Sequence, residues 1–278
     1  MRSGRDTGQV SRTAAPAPSS MAPSSPDETP RLSVVVPVRN EAPNVLPLIE
    51  EIERACAPLA SFELVYVDDG SADGTQDELA SARASRPWLR VFRHETSCGQ
   101  SAAVRTGVRA ARGPVIVTLD GDGQNDPAFI PQLYAMLTEG GERVGLAAGQ
   151  RLRRVGGFKM LQSRIANSVR RAILRDGTRD TGCGLKAFRR EVYLALPYFD
   201  ALHRFMPALV KREGLEVATV DVVDRPRHAG QSNYGLFDRL WVGIMDLAGV
   251  WWLIRRRRRL PEVREIAQPL SRMGEGQG

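Results

Sequence analysis

Cysteine is scarce in this chain. Cys56, Cys98 and Cys183 are odd in number and lack Cys-x-x-Cys spacing, which argues against a disulfide framework and a zinc site and makes a reducing compartment the expectation. The Gly-x-x-x-x-Gly-Lys-Ser/Thr loop is also missing, as is a Gly-x-Gly-x-x-Gly after the first strand. These absences speak against P-loop NTPases and Rossmann dehydrogenases, so any phosphate must be held otherwise. Residues 1 to 30 contain no apolar core of a secretory signal; Ala, Pro, Ser and Thr dominate them, and they read as disordered. The apolar run from Leu236 to Ile254 is interrupted by Asp238, Arg239 and Asp246 and falls short of the roughly 20 residues that crossing a bilayer requires. Finally, the formal charge of +7 calls for an anionic partner, but no aromatic residues alternate with the basic ones. A base-stacking surface is absent, which argues against nucleic acid and leaves phosphate-bearing substrates and acidic lipid.

What is present fits one large domain with appendages: 42% of residues are hydrophobic and 26% charged. From Arg31 onward short β-rich runs alternate with helical spacing, the signature of an α/β fold with a mostly parallel central sheet flanked by helices. Strands are predicted at 32–37, 62–67, 89–93, 114–119 and 144–149, with a late one from Val217 to Val223. Helices are predicted over Asn44 to Ala57, Asp73 to Ala84, Gly99 to Ala111 and Asp126 to Thr138, with Asp73 and Asp126 as N-caps. Beyond Arg151 a basic amphipathic stretch, Lys159 to Leu174, leads to a Gly-rich turn at Asp180-Thr181-Gly182-Cys183-Gly184. The expected organisation is a disordered segment 1–30, a domain 31–235, an interfacial helix with a polybasic end 236–259 and a flexible tail 260–278. In that helix Trp241, Trp251 and Trp252 suit the headgroup level, and the run Arg255 to Arg259 suits an anionic membrane face. The alternative is a helix packed on the domain with a solvated basic tail.

The most informative segment is Val117-Thr118-Leu119-Asp120-Gly121-Asp122-Gly123-Gln124. It sets two carboxylates, one residue apart, at the end of a buried strand, where ligands bind in open α/β sheets. Glycines at 121 and 123 keep bulk away from whatever the acids coordinate, and Gln124 adds a neutral oxygen of the hard type that Mg²⁺ and Mn²⁺ accept. The first strand ends in Pro37-Val38-Arg39-Asn40-Glu41 and the second in Asp68-Asp69-Gly70-Ser71. An acid there can accept from ribose hydroxyls or base N–H groups; equally, Asp69 and Ser71 can cap the helix that follows. Three polar strand ends in one crevice describe a nucleotide site.

Together with Arg227 and Gly230-Gln231-Ser232-Asn233-Tyr234-Gly235, these motifs resemble the GT-A glycosyltransferases of family 2. The match is to the branch of dolichol-phosphate mannose synthases and bacterial polyprenyl-phosphate glycosyltransferases. The resemblance spans residues 31 to 240 and implies the GT-A fold. It implies that Pro37, Arg39, Glu41 and Asp69 surround a nucleotide-sugar donor and that Asp120, Asp122 and Gln124 hold Mg²⁺ or Mn²⁺. By the same resemblance Arg227 closes over the donor diphosphate, so Asp122 and Arg227 carry the catalysis. Arg151, Arg164 and Ser168 match positions that contact the acceptor phosphate; Arg164 and Ser168 are four apart and share a helical face. The family often has Lys where this chain has Asn233, so that cation is missing or supplied by Arg225. His203 and Arg204 open another helix, either toward the acceptor or at the surface.

A polyprenyl phosphate acceptor is largely ionised near neutrality, since a phosphomonoester's second pKa is about 6, and needs no general base. A hydroxyl acceptor would need a carboxylate, for which Asp180 is the attractive candidate unless it organises its own turn. The expectation is an inverting transfer from a GDP- or UDP-linked sugar to polyprenyl phosphate at the cytoplasmic membrane face. A membrane partner protein or the interfacial helix would keep the site near the lipid. The alternatives are a hydroxyl acceptor on lipid A or surface polysaccharide, and a non-catalytic membrane scaffold.

Overall fold

The computed structural model describes residues 29–59, 61–152, 168, 170–225 and 236–256, the last range with side chains from 243 onward. Outside the described residues lie the predicted disordered segment up to residue 28, most of the basic stretch including Arg164, the loop from Arg227 to Gly235, and the tail.

Seven strands form one sheet: β1 Leu32–Val38, β2 Phe62–Asp68, β3 Leu89–Arg93, β4 Val115–Thr118, β5 Val144–Arg151, β6 Lys186–Arg189 and β7 Glu216–Val222. Their order is β3-β2-β1-β4-β6-β5-β7, all parallel except β6, which runs antiparallel between β4 and β5. Helices α1 Ala42–Cys56, α2 Thr75–Ala84, α3 Gln100–Ala110 and α4 Ile130–Glu139 follow the early strands; α5 Arg190–Ala195, α6 Leu202–Arg212 and α7 Leu236–Arg255 come after.

Side-chain alternation assigns the helices to two faces. Val34, Val36, Leu64, Tyr66, Val115 and Val117 point to a core covered by α1, α2 and α4. Their neighbours Val35, Val65, Val67 and Ile116 point to a second core under α3, α5 and α6. A sheet buried on both faces explains why its strands read as continuous apolar runs. The polar interruptions within them are paired at the edge opposite the site: Glu63, 3% exposed, accepts from Ser33 Oγ at 2.6 Å, Arg112 N at 2.6 Å and Arg90 at 2.9 Å.

The predicted strands and the helices after them lie where the spacing places them, with shifts of a residue or two at their ends, except that the helix predicted from Asp126 begins four residues later, at Ile130. Asp126 caps a single 3₁₀ turn, Pro127–Phe129, by accepting from Ala128 N at 2.9 Å, and α4 starts behind it. Asp73 does accept from Thr75 N at 3.0 Å, but α2 begins two residues later than predicted. Among the described residues no helix is long and apolar enough to cross a membrane. α7 packs one side on α6, and the α6 residue Arg212 donates to the Leu253 carbonyl at 3.1 Å.

Candidate active site

The carboxyl ends of β1, β2 and β4 open into a crevice of about 260 Å³ lined by Pro37, Arg39, Glu41, Asp69, Asp120 and Asp122, together with Gln100 at the start of α3. Residues that the sequence placed in a nucleotide site from three separate motifs therefore face one space. Each is fixed by local bonds. Asn40 takes a left-handed conformation at φ 54°, its N–H donates to Ser71 Oγ at 2.9 Å, and its side chain accepts from Ala72 N at 2.8 Å, locking the first two strand ends together. Glu41 N donates to Thr75 Oγ1 at 2.9 Å, and its carboxylate accepts from Asn44 at 2.6 Å.

Asp120 leaves β4 with its N–H bonded to Asn125 Oδ1 at 3.0 Å, and its carboxylate accepts from Gln100 Nε2 at 2.7 Å. Burial, and next the charge of Asp122, push its pKa up to about 6, while Lys186 and Arg151 pull it down. Asp122 accepts from Gln124 N at 3.1 Å. A pair of like-charged, partly desolvated carboxylates gains from a bound divalent cation. The surroundings fit one: Gly184 approaches so closely that any Cβ there would collide with the Asp120 carboxylate, and the donors are hard oxygens. Gln124 is drawn toward the chain that leads to Arg227. Its Nε2 lies 3.5 Å from the Arg225 carbonyl, and its own carbonyl accepts from Arg225 N at 3.0 Å.

Some expected contacts are already occupied. Asp69 lines the crevice, yet its carboxylate accepts from His94 Nδ1 at 2.7 Å, Ser97 Oγ at 2.7 Å, Cys98 N at 2.8 Å and Gly99 N at 2.9 Å. A carboxylate offers about four acceptor positions, so a nucleotide contact there requires one donor to leave. These bonds hold its pKa below the usual carboxylate range against the opposing effect of burial. Asp68, buried behind it, pairs with Arg93 at 2.5 Å and accepts from Ser71 N at 2.9 Å. Arg151, at the end of β5, gives two bonds to Asp180, at 2.5 and 3.0 Å, and a longer one of 3.4 Å to Asp224. Asp180 also accepts from Gly182 N at 2.9 Å, which makes it an organiser of its turn. Arg225, the residue offered as a substitute for the family's lysine, is tied to Glu51 at 2.5 Å and to Asp126 at 2.6 Å. Ser168 is exposed on a helical segment; Arg164 and Arg227 lie outside the described residues.

Beside Asp120 a small recess is lined by Gln100, Thr118, Gly184, Lys186, His203 and Met206. Lys186, 2% exposed, donates to the carbonyls of Thr181 and Cys183. Burial lowers its pKa, and the nearby acidic groups oppose that shift. His203 lies 2.8 Å from the buried Ser101 Oγ through Nδ1; burial, helped by Lys186 and Arg204, lowers its pKa to about 3 and keeps it neutral. His203 thus faces the recess and not the surface. Lys186 and Gln100 escaped the sequence reading. The one available signal was a lysine inside the apolar run Leu185 to Phe188, directly after a Gly-rich turn.

Residues 33–196 match the family model described as Glycosyl transferase family 2. The dodecaprenyl-phosphate galacturonate synthase of Rhizobium johnstonii is 34% identical over 243 residues, covering 84% of this chain and 70% of that protein. The undecaprenyl-phosphate 4-deoxy-4-formamido-L-arabinose transferase of Serratia proteamaculans is 32% identical over 209 residues. That match covers 74% of this chain but only 63% of the longer protein. Among solved structures, glucosyl-3-phosphoglycerate synthase from Mycobacterium tuberculosis, in complex with Mn²⁺, UDP and glucosyl-3-phosphoglycerate, superposes with a TM-score of 0.61 at 23% identity, covering 81% of this chain and 80% of that one. The fold is shared.

Proposed function

The chain belongs to glycosyl transferase family 2, and from that premise we propose that it transfers a sugar from a nucleoside-diphosphate donor to a polyprenyl phosphate, with inversion at the anomeric carbon. The observation that carries this reading is the paired Asp120 and Asp122 in the crevice, backed by Gly184 and flanked by Arg39, Glu41 and Asp69. Two relatives whose names specify prenyl-phosphate acceptors support the acceptor class. Mg²⁺ or Mn²⁺ on Asp120, Asp122 and Gln124 would neutralise the departing diphosphate.

The chain's own groups account for the rest. Pro37, Arg39, Glu41 and Asp69 bound the nucleotide half of the crevice. Gln100 holds the Asp120 carboxylate in place, beside the recess formed by Lys186 and His203. The acceptor phosphate belongs on the side of Arg151, with Arg164 and Ser168, and Arg227 belongs over the donor diphosphate. Asp180 is committed to Arg151 and to its own turn. An acceptor that arrives already ionised suits such a site, since no group has to remove a proton from it.

The test is release of nucleoside diphosphate in a screen of GDP- and UDP-linked sugars with Mn²⁺ or Mg²⁺ and undecaprenyl phosphate in detergent. Transfer to the lipid should fall by a hundred- to a thousandfold in Asp122→Asn, on the order of removing one preorganised electrostatic contact. Donor binding without lipid transfer would move the acceptor to a hydroxyl, and no donor binding at all would reduce the domain to a scaffold.

A further inference from the structure

Helix α7 has two chemically different sides. Leu247, Val250, Leu253 and Ile254 pack into the core beneath α6. Turned away from it, Ile244, Met245, Trp251 and Trp252 are 49%, 57%, 40% and 54% exposed. At 100° per residue these four share a side with Ala248, Arg255 and Arg256. Asp246, the acid that interrupts the apolar run, falls on the other side, partly buried and within electrostatic reach of Asp200 and Arg204. The outward side from 243 to 256 therefore carries no acid at all. Its two cations sit on its two aromatics: the Arg255 guanidinium is 4.4 Å from the Trp251 ring centre, and that of Arg256 is 5.2 Å from Trp252.

We propose that this outward side of α7 docks on an anionic lipid bilayer, with Trp251 and Trp252 at headgroup level and Arg255 and Arg256 on the lipid phosphates. Large exposed apolar side chains ending in a cationic cluster match an interface whose interior is apolar and whose surface is negative. A second copy of the chain is a poorer occupant. A two-fold contact through this side would offer its arginines no acid to meet, because the side carries none, whereas a phosphate-bearing surface supplies the countercharge. In the sequence the basic run continues through Arg259, adding charge of the same sign. The packing also relates this side to the crevice. Arg204 lies near Asp246 and Arg212 touches Leu253, so α6 and α7 run in the same direction, and His203 on the first turn of α6 lines the recess beside Asp120. A docked α7 therefore leaves one helix between the bilayer and the site.

Vesicle binding reads this surface without donor or acceptor, so it succeeds or fails independently of the transferase reading. The full chain is sedimented with phosphatidylcholine vesicles, with and without phosphatidylglycerol, while tryptophan emission is followed. Binding should require the anionic lipid and shift the emission to the blue. Arg255→Gln with Arg256→Gln should weaken partitioning by about thirtyfold, the worth of two basic residues near such a surface. Trp251→Ser with Trp252→Ser should weaken partitioning and shrink the blue shift while circular dichroism stays unchanged. Equal binding to neutral vesicles, or binding that neither pair alters, would overturn the proposal. So would a dimer in solution that the tryptophan pair dissolves, because the face would then belong to a second copy.

Discussion

At the scale of single residues, the site is organised by groups whose charge state the fold dictates. His203 is an example. Its pKa of about 3 in the folded chain lies below the value of about 6.5 of a free imidazole, so between these limits the unfolded chain binds a proton that the folded chain refuses. Stability therefore decreases as the pH falls through that window and is fully present above it. Replacing His203 by Gln, which can keep the bond to Ser101, should remove about one proton from the pH dependence of unfolding free energy between those limits. Urea melts of both proteins across the range measure this, and parallel curves would mean that His203 is protonated freely in the fold. Asp69 teaches a different lesson. Its position suits either a nucleotide contact or a helix cap, the family resemblance implies the first, and in the structure four protein donors fill its carboxylate. Those donors come from His94, Ser97, Cys98 and Gly99, distant in sequence, and no local pattern announces them.

At the scale of elements, glycines reveal how closely the pieces approach. A Cβ at Gly107 on α3 would strike Val35 and sit 3.3 Å from Val67 on the sheet. Gly107→Ala should cost about 1–3 kcal/mol through overpacking, seen as a lower urea midpoint with an unchanged slope. Gly184 stands just before β6 and backs Asp120. Gly184→Ala should displace that carboxylate and weaken Mn²⁺ binding by on the order of tenfold, measured by titration calorimetry; an unchanged affinity would detach Asp120 from the metal. The same element marks the limit of sequence reading. β1, β2 and β4 were legible because their continuous apolar runs are bounded by turn residues, and the acids at their ends followed from the edge at which such strands terminate. β6 was not, because Lys186–Arg189 is four residues long, begins and ends with a cation and pairs antiparallel with partners far away in sequence. α5, at six residues, is likewise too short to establish a period. The recess was missed with β6, since Lys186 has meaning only once that strand is inserted between β4 and β5.

At the scale of the whole molecule, the sheet joins two halves with different tasks. The ends of β1, β2 and β4 open into the crevice, while β5, β7 and the turn before β6 present Arg151, Asp224 and Asp180. If the lipid phosphate is to meet Arg151, it must displace Asp180 from a two-bonded ion pair whose side chains are 11% and 13% exposed. Acceptor binding then carries the cost of opening that pair, and a substitution can lift the cost. Asp180→Asn keeps an oxygen for Gly182 N but gives up the charge that holds the guanidinium. The acceptor KM should fall by about fivefold, the equivalent of ~1 kcal/mol for a partly solvated ion pair, while the donor KM stays where it was. Removing one partner of a sheltered pair also lowers the melting temperature, so stability alone does not discriminate; the division between the two KM values does. Arg151→Lys should raise the acceptor KM, since a lysine cannot offer the planar two-bond fork to a phosphate. If Asp180→Asn lowers the melting temperature and leaves both KM values unchanged, Arg151 is a strut between β5 and the turn, and the acceptor phosphate is held by other cations.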